Sequence, residues 1–148
     1  MSHHDMRFEL RLPSRTDCLS LIRVFVARVA DRAGLTQDDV DQVELAVDEA
    51  CANVMLHAHA LNPDMQVHVV LDVEPQKLII GVTDEGRPFD PTSVPVPDLD
   101  AYLAAHRVGG LGIYLIRRLM DEVQYCRSQD GRNELRMAKY LDSPAEGT

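Results

Sequence analysis

Apolar and charged residues alternate near the start of the chain, with Met6, Phe8, Leu10 and Leu12 separated by Arg7, Glu9 and Arg11. A period of two is that of a half-buried strand. Pro13-Ser14 then opens a helix reaching roughly Ala33, with Leu21, Ile22, Phe25, Val26 and Val29 on its apolar side. Gly34 stops this helix and Thr36 is placed to cap the next one. The second helix carries a stripe of Val40, Val43, Val47, Ala50 and Val54 and extends to about Ala58.

Alternation returns in Val67, Val69, Leu71 and Val73, and Glu74-Pro75-Gln76 turns the chain into a strand from Leu78 to Thr83. Four prolines between Arg87 and Asp100 predict an irregular loop. A third helix is expected from near Gly112, followed by a hairpin of Val123 to Arg127, an Asp130-Gly131 turn, and Leu135 to Leu141. The tail from Asp142 to Thr148 is expected to fray. The order β-α-α-β-β-loop-α-β-β, dominated by hairpin connections, predicts an α+β fold. Its architecture would be a two-layer α/β sandwich: a mainly antiparallel mixed sheet with helices on one face. With no internal repeat or linker, residues 1–148 are expected to form one domain.

Composition narrows the class. The chain has 148 residues, 45% hydrophobic and 26% charged, with no Trp, so the core must be aliphatic. No apolar run approaches the roughly 18 residues that span a bilayer, and Met1 to Leu12 lacks a signal-peptide segment. A cytoplasmic protein with no membrane association is expected. Cys18, Cys51 and Cys126 are too scattered for a disulfide framework or a zinc site, and are expected to be buried thiols. The net charge of −9 argues against direct nucleic-acid binding. A polyphosphate would need backbone N–H groups, Mg²⁺ and local arginines, for which Arg107, Arg117 and Arg118 are candidates.

Four side chains or clusters stand out for chemistry. Glu49 and Asn53 lie one helical turn apart, on the edge of the apolar stripe and within about 40° of each other around the axis. One can accept a proton, and the other can offer a neutral oxygen to a hard cation. Asp84 shares a strand face with Leu78, Ile80 and Val82, so it points inward and needs a partner. A base whose exocyclic amine donates to Asp84 would supply one, and Gly86 would let a backbone or a flat ligand come close. Taken alone, Asp84-Glu85-Gly86 also reads as a plain strand-to-loop turn. Gly109-Gly110-Leu111-Gly112 precedes a helix, where backbone N–H groups can converge on an anion. It lacks the Lys-Ser/Thr of a P-loop, and a flexible hinge is the plainer alternative. His57 and His59 form a His-x-His pair near a helix end, a position more often surface or capping than metal binding.

Together these motifs resemble the nucleotide site of the GHKL (Bergerat-fold, histidine-kinase-like) ATPases. Glu44 to His57 resembles the N box, Val82 to Pro91 the first glycine box, and Gly109 to Val123 the second. Within that superfamily the chain is most similar to the anti-sigma factor serine/threonine kinases of bacterial partner-switching systems, over nearly its whole length. The resemblance implies a kinase that binds Mg-ATP, sequesters a sigma factor and phosphorylates a STAS-type anti-anti-sigma protein, commonly as a homodimer. It also implies residue roles. Glu49 matches the general base, Asn53 the Mg²⁺ ligand, and Asp84 the adenine-reading carboxylate, with Gly86 beside the base. Gly110 and Gly112, with Gly109 and Leu111, match the phosphate-covering backbone; residues 91–108, including Arg107, correspond to the ATP lid.

Two departures stand out. Many members carry a Thr on the final strand that contacts adenine through water, and here Asn133 stands near that position. The lid is short and proline-rich, with no lysine. Histidine kinases share the ATP-binding fold, but no phosphoacceptor helix pair is expected in this chain. The rival readings are a non-catalytic, nucleotide-responsive module that sequesters a partner, and a stand-alone ATPase. Glu49 favours the kinase, because a pure binder has no use for a base there.

Overall fold

The computed structural model describes residues 6–60, 62–86 and 110–141. Strand β1 (Met6–Pro13) is followed by a 3₁₀ turn (Thr16–Cys18), α1 (Leu19–Ala33) and α2 (Gln37–Asn53). A widened, π-type turn (Val54–Ala58) continues α2. Then come β2 (Gln66–Val73), β3 (Lys77–Asp84), α3 (Gly110–Leu119), β4 (Glu122–Arg127) and β5 (Asn133–Tyr140). The predicted proline loop, the ATP lid and the C-terminal tail lie outside the described residues.

The five strands form one sheet in the order β1-β2-β3-β5-β4. Every described pairing is antiparallel, so the sheet is the expected one without a parallel component. Alternation along β2 and β3 turns Val67, Val69, Leu71, Leu78, Ile80 and Val82 toward the helices. There they meet Ile22 and Val26 of α1, Val43, Val47 and Ala50 of α2, and Ile113 and Ile116 of α3 in one aliphatic core. The opposite sheet face carries polar pairs such as Arg7 with Asp72 at 2.8 Å and His68 with Glu9 at 2.9 Å.

Local chemistry explains the element boundaries. Gly34 takes a left-handed φ of 99° and ends α1 as expected. The Thr36 side chain accepts from Asp39 N at 3.2 Å, and Asp38 and Asp39 complement the positive end of α2. Helix α1, however, starts at Leu19 and not at Pro13-Ser14. The β1–β2 ladder runs through Pro13, and Ser14 N–H extends it by donating to Met65 O at 2.8 Å, so these residues are held extended. Helix α3 begins at Gly110, which places Gly110 to Gly112 inside its first turn. Lys139 joins the layers from β5: its ammonium is buried and donates to Gln42 Oε1 and to Leu119 O, both at 2.6 Å.

All three cysteines are free, but only Cys51 is buried; Cys18 is half-buried and Cys126 exposed, because β4 lies at the sheet edge. No helix among the described residues is long and apolar enough to cross a membrane.

Replacing Ile80, which is fully buried, with Ala should lower the unfolding free energy by about 2–5 kcal/mol in a denaturant titration. Val24, 60% exposed on α1, should change it by about 0.5 kcal/mol or less when made Ala. Similar costs for both would contradict this placement of the core.

Candidate nucleotide site

Asp84 is the last residue of β3 and lies opposite Asn133, the first residue of β5, which lies opposite Arg127 at the end of β4. The three form a row across the sheet, on the face turned to the helices. Asp84 is only 6% exposed, as its strand phase predicts. Its Oδ1 accepts from Gly86 N at 2.7 Å and from Asn133 Nδ2 at 3.0 Å. Among the described residues no side chain occupies Oδ2 in the same way.

Asn133 is almost fully buried and uses both ends of its amide. Nδ2 donates to Asp84 and also to Gly86 O at 3.1 Å. Oδ1 accepts from Tyr125 Oη at 3.0 Å and from Arg127 Nη1. Arg127 fixes which way the amide faces, because its guanidinium can only donate and a flipped Asn133 would set its NH₂ against it. Asn133 therefore orients the Asp84 carboxylate directly. Tyr125 and Arg127 lie outside the motifs that point to the site. Period-two phasing of the hairpin places both on the Asn133 face, so the signal was present.

The other side of Asp84 is closed by the end of helix α2. The widened turn has His59 N donating to Val54 O at 2.9 Å, a span of five residues, and it swings Ala58 and His59 against Gly86. A Cβ on Gly86 would meet Ala58 O and His59 Cδ2 at 2.6 Å. Of the two expected uses for this glycine, close backbone approach is the one seen here. His59 caps the widened turn, one of the two roles expected of it, but it is buried and not on the surface. Its Nδ1 lies 2.9 Å from Ser14 Oγ, and its Nε2 lies 3.6 Å from Asp84 Oδ1. Burial lowers the His59 pKa, and the Asp84 charge opposes that shift.

Asn53, expected at the edge of the α2 stripe, lies inside it at 5% exposure. Its Nδ2 is buried with no hydrogen-bond partner among the described residues. An orphaned amide is costly, so its retention points to a ligand. Asn53, Asp84, Tyr125 and Asn133 line one narrow cavity between α2 and the sheet, with Ala50, Val82 and Leu135 as apolar walls. Apolar walls with a few converging polar groups have the chemistry of a base site, while the open space is about 20 Å³, room for about one water. The neutral amide oxygen of Asn53 fits a Mg²⁺ ion that takes most of its ligands from phosphate and water.

Glu49 sits one turn before Asn53 and is half-buried. Burial raises its pKa above the usual carboxylate value, and neighbouring Asp48 adds to the shift. Asp48 is itself paired with Arg23 of α1 at 2.8 Å. A raised pKa is the direction that suits a general base. Gly110, Leu111 and Gly112 form the first turn of α3, and the first N–H groups of a helix, which lack partners within it, can receive an anion. Arg117 and Arg118 lie in the last turn of that helix, away from its N-terminus. Arg118 stacks on Tyr114, with 5.4 Å between its guanidinium carbon and the ring centre. Arg107 and Gly109 lie outside the described residues.

A carboxylate at the end of a central strand, an asparagine buried in the facing helix and a glycine-rich helix start define an ATP-binding fold of the histidine-kinase-like class. Residues 12–139 match the family model of the histidine kinase-like ATPase domain. The chain is 34% identical to the serine-protein kinase RsbW of Bacillus subtilis over 139 residues, covering 90% of this chain and 85% of that protein. It is 33% identical to serine-protein kinase RsbW of Staphylococcus aureus over 138 residues, 90% of this chain and 86% of that one. The chain belongs to the anti-sigma factor serine/threonine kinase family of histidine-kinase-like ATPases, and ATP is its nucleotide. A solved structure of the SiaB-SiaC complex from Pseudomonas aeruginosa superposes with a TM-score of 0.61 at 13% identity, covering 90% of this chain and 89% of that one. That likeness concerns the fold alone.

The raised Glu49 pKa carries a stability consequence. A folded-state pKa above the unfolded value favours folding only below about pH 4.5, and this contribution is lost as pH rises through the folded pKa. Glu49→Gln should therefore melt at a higher temperature than the parent at pH 7, and the difference should vanish near pH 4. A constant difference across that range in a thermal melt would refute the assignment of Glu49 as a desolvated carboxylate.

Proposed function

We propose that this kinase binds Mg-ATP, holds a sigma factor inactive, and phosphorylates a serine or threonine of a STAS-type anti-anti-sigma protein. The observation that carries the reading is the convergence of Asp84, Asn53 and Asn133 on one cavity, with Glu49 a turn away on the same helix. Asp84 accepts the adenine amine through Oδ2, because Oδ1 is already engaged by Gly86 and Asn133. Asn53 offers its amide oxygen to the metal and its unpaired Nδ2 to a ligand oxygen. The Mg²⁺ ion supplies charge neutralisation on the phosphates.

Glu49 takes the proton of the substrate hydroxyl as the phosphoryl group transfers, and its desolvation makes it a stronger base than an exposed carboxylate. Backbone N–H groups of Gly110 to Gly112, with Gly109 and Arg107, cover the phosphates. Little further chemistry is required, since phosphoryl transfer depends mainly on alignment and electrostatics. The same reading makes residues 1–148 one cytoplasmic domain that works as a homodimer and contacts nucleic acid only through its sigma partner.

Incubation with Mg-ATP and a STAS partner should yield a phosphoserine or phosphothreonine detectable by mass spectrometry. Glu49→Gln should abolish that product and leave ATP affinity nearly intact; equal loss of both would remove Glu49 from the role of base. Asn53→Ala should weaken the Mg²⁺-dependent part of ATP binding by about tenfold, on the order of one lost charge-assisted contact. An unchanged Mg²⁺ titration would count against Asn53 as the metal ligand.

A further inference from the structure

Ser14 and His59 are both buried, lie 45 positions apart in the chain, and meet directly beneath Asp84. Neither has a part in phosphoryl transfer as described above. The Ser14 hydroxyl lies 2.9 Å from His59 Nδ1, and His59 Nε2 faces Asp84 Oδ1 across 3.6 Å. Nε2 has no other hydrogen-bond partner among the described residues.

Electrostatics selects the tautomer. If Nδ1 carried the proton, the Nε2 lone pair would face a carboxylate oxygen in a site shut off from water, which is repulsive. If Ser14 donates to Nδ1, the proton sits on Nε2 and its dipole points at Oδ1. A hydroxyl can donate or accept, so Ser14 permits the second arrangement at no loss. Oδ1 is then surrounded by three N–H groups, from Gly86, Asn133 and His59. At 3.6 Å the third is too long for a hydrogen bond, and it acts as a directed dipole.

We propose that the Ser14–His59 pair is a positioning device for base selection. It keeps Oδ1 turned inward, so that only Oδ2 meets the base. A carboxylate oxygen so placed accepts from the amine of adenine and repels the 6-oxo group of hypoxanthine or guanine. Without the His59 dipole the carboxylate rotates more readily, and the oxygen that meets the 6-position is no longer fixed. Discrimination between the two kinds of purine thus depends on a serine at the end of β1, far from the other site residues in sequence. The inference rests on Asp84 reading the base.

Dissociation constants for Mg-ATP and Mg-ITP test it, since the two differ at the 6-position and the adjacent N1 alone. His59→Leu should lower the ATP preference by about three- to tenfold, the range of one weakened charge-assisted contact. Ser14→Ala, which keeps the ring but frees the tautomer, should move the preference in the same direction by less. His59→Gln, whose amide nitrogen reaches the Nε2 position, should retain it. Equal weakening of both nucleotides in the Leu and Ala variants would mean a merely structural role and overturn the proposal. Asp84→Asn separates the two levels. If it collapses the preference while the His59 and Ser14 variants do not, the brace is wrong and the base reading stands. If Asp84→Asn leaves the preference unchanged, the base reading fails and takes the brace with it.

Discussion

The pairing of β3 with β5 is the constraint from which the nucleotide site follows. It sets Asp84 opposite Asn133, and Asn133 opposite Arg127, so three polar residues cross the sheet in one row. The alternating core residues Leu78, Ile80 and Val82, opposite Lys139, Met137 and Leu135, lock that register. A one-residue slip would drive this whole apolar set onto the open face and turn Asp84 away from the helices. Burial of hydrocarbon thus enforces the placement of a charge that hydrocarbon alone would exclude.

Helix α2 carries the complementary half. Its N-terminus follows ordinary rules, with a Thr36 cap and two early aspartates. Its C-terminal half departs from them: Asn53 is buried with an unpaired amide nitrogen, Glu49 is partly desolvated, and the last turn widens. Each feature works against local stability, and all three lie within eleven residues that face the sheet end. Such departures cluster where function is served. The surrounding aliphatic core from all three helices makes them tolerable.

Much of this was legible from pattern alone. Period-two runs marked β1 and β2, an apolar run after the Glu74-Pro75-Gln76 turn marked β3, a 3.6-residue stripe marked α2, and strand phase turned Asp84 inward. Helix starts were less legible. The pattern at Pro13-Ser14 reads as a helix entry, yet Ser14 belongs to the end of a ladder because its N–H bonds to Met65 O. His59 reads as a surface or capping residue; it does cap the widened turn, and that turn rotates it inward to a buried position. Asn133 was visible as a residue near a family position, but its hydrogen bond to Asp84 was not.

The sequence by itself determined the element order, the α+β class and the family, and it singled out Glu49, Asn53 and Asp84 as candidates for the chemistry. These depend on periodicity and on short motifs, which are local properties of the chain. Only the tertiary structure decided what Asp84 touches: Asn133 from 49 residues away, and His59 held in turn by Ser14. Those contacts depend on strand register and on the exit angle of a helix. Both are set by how distant segments pack, and no window of neighbouring residues contains that information.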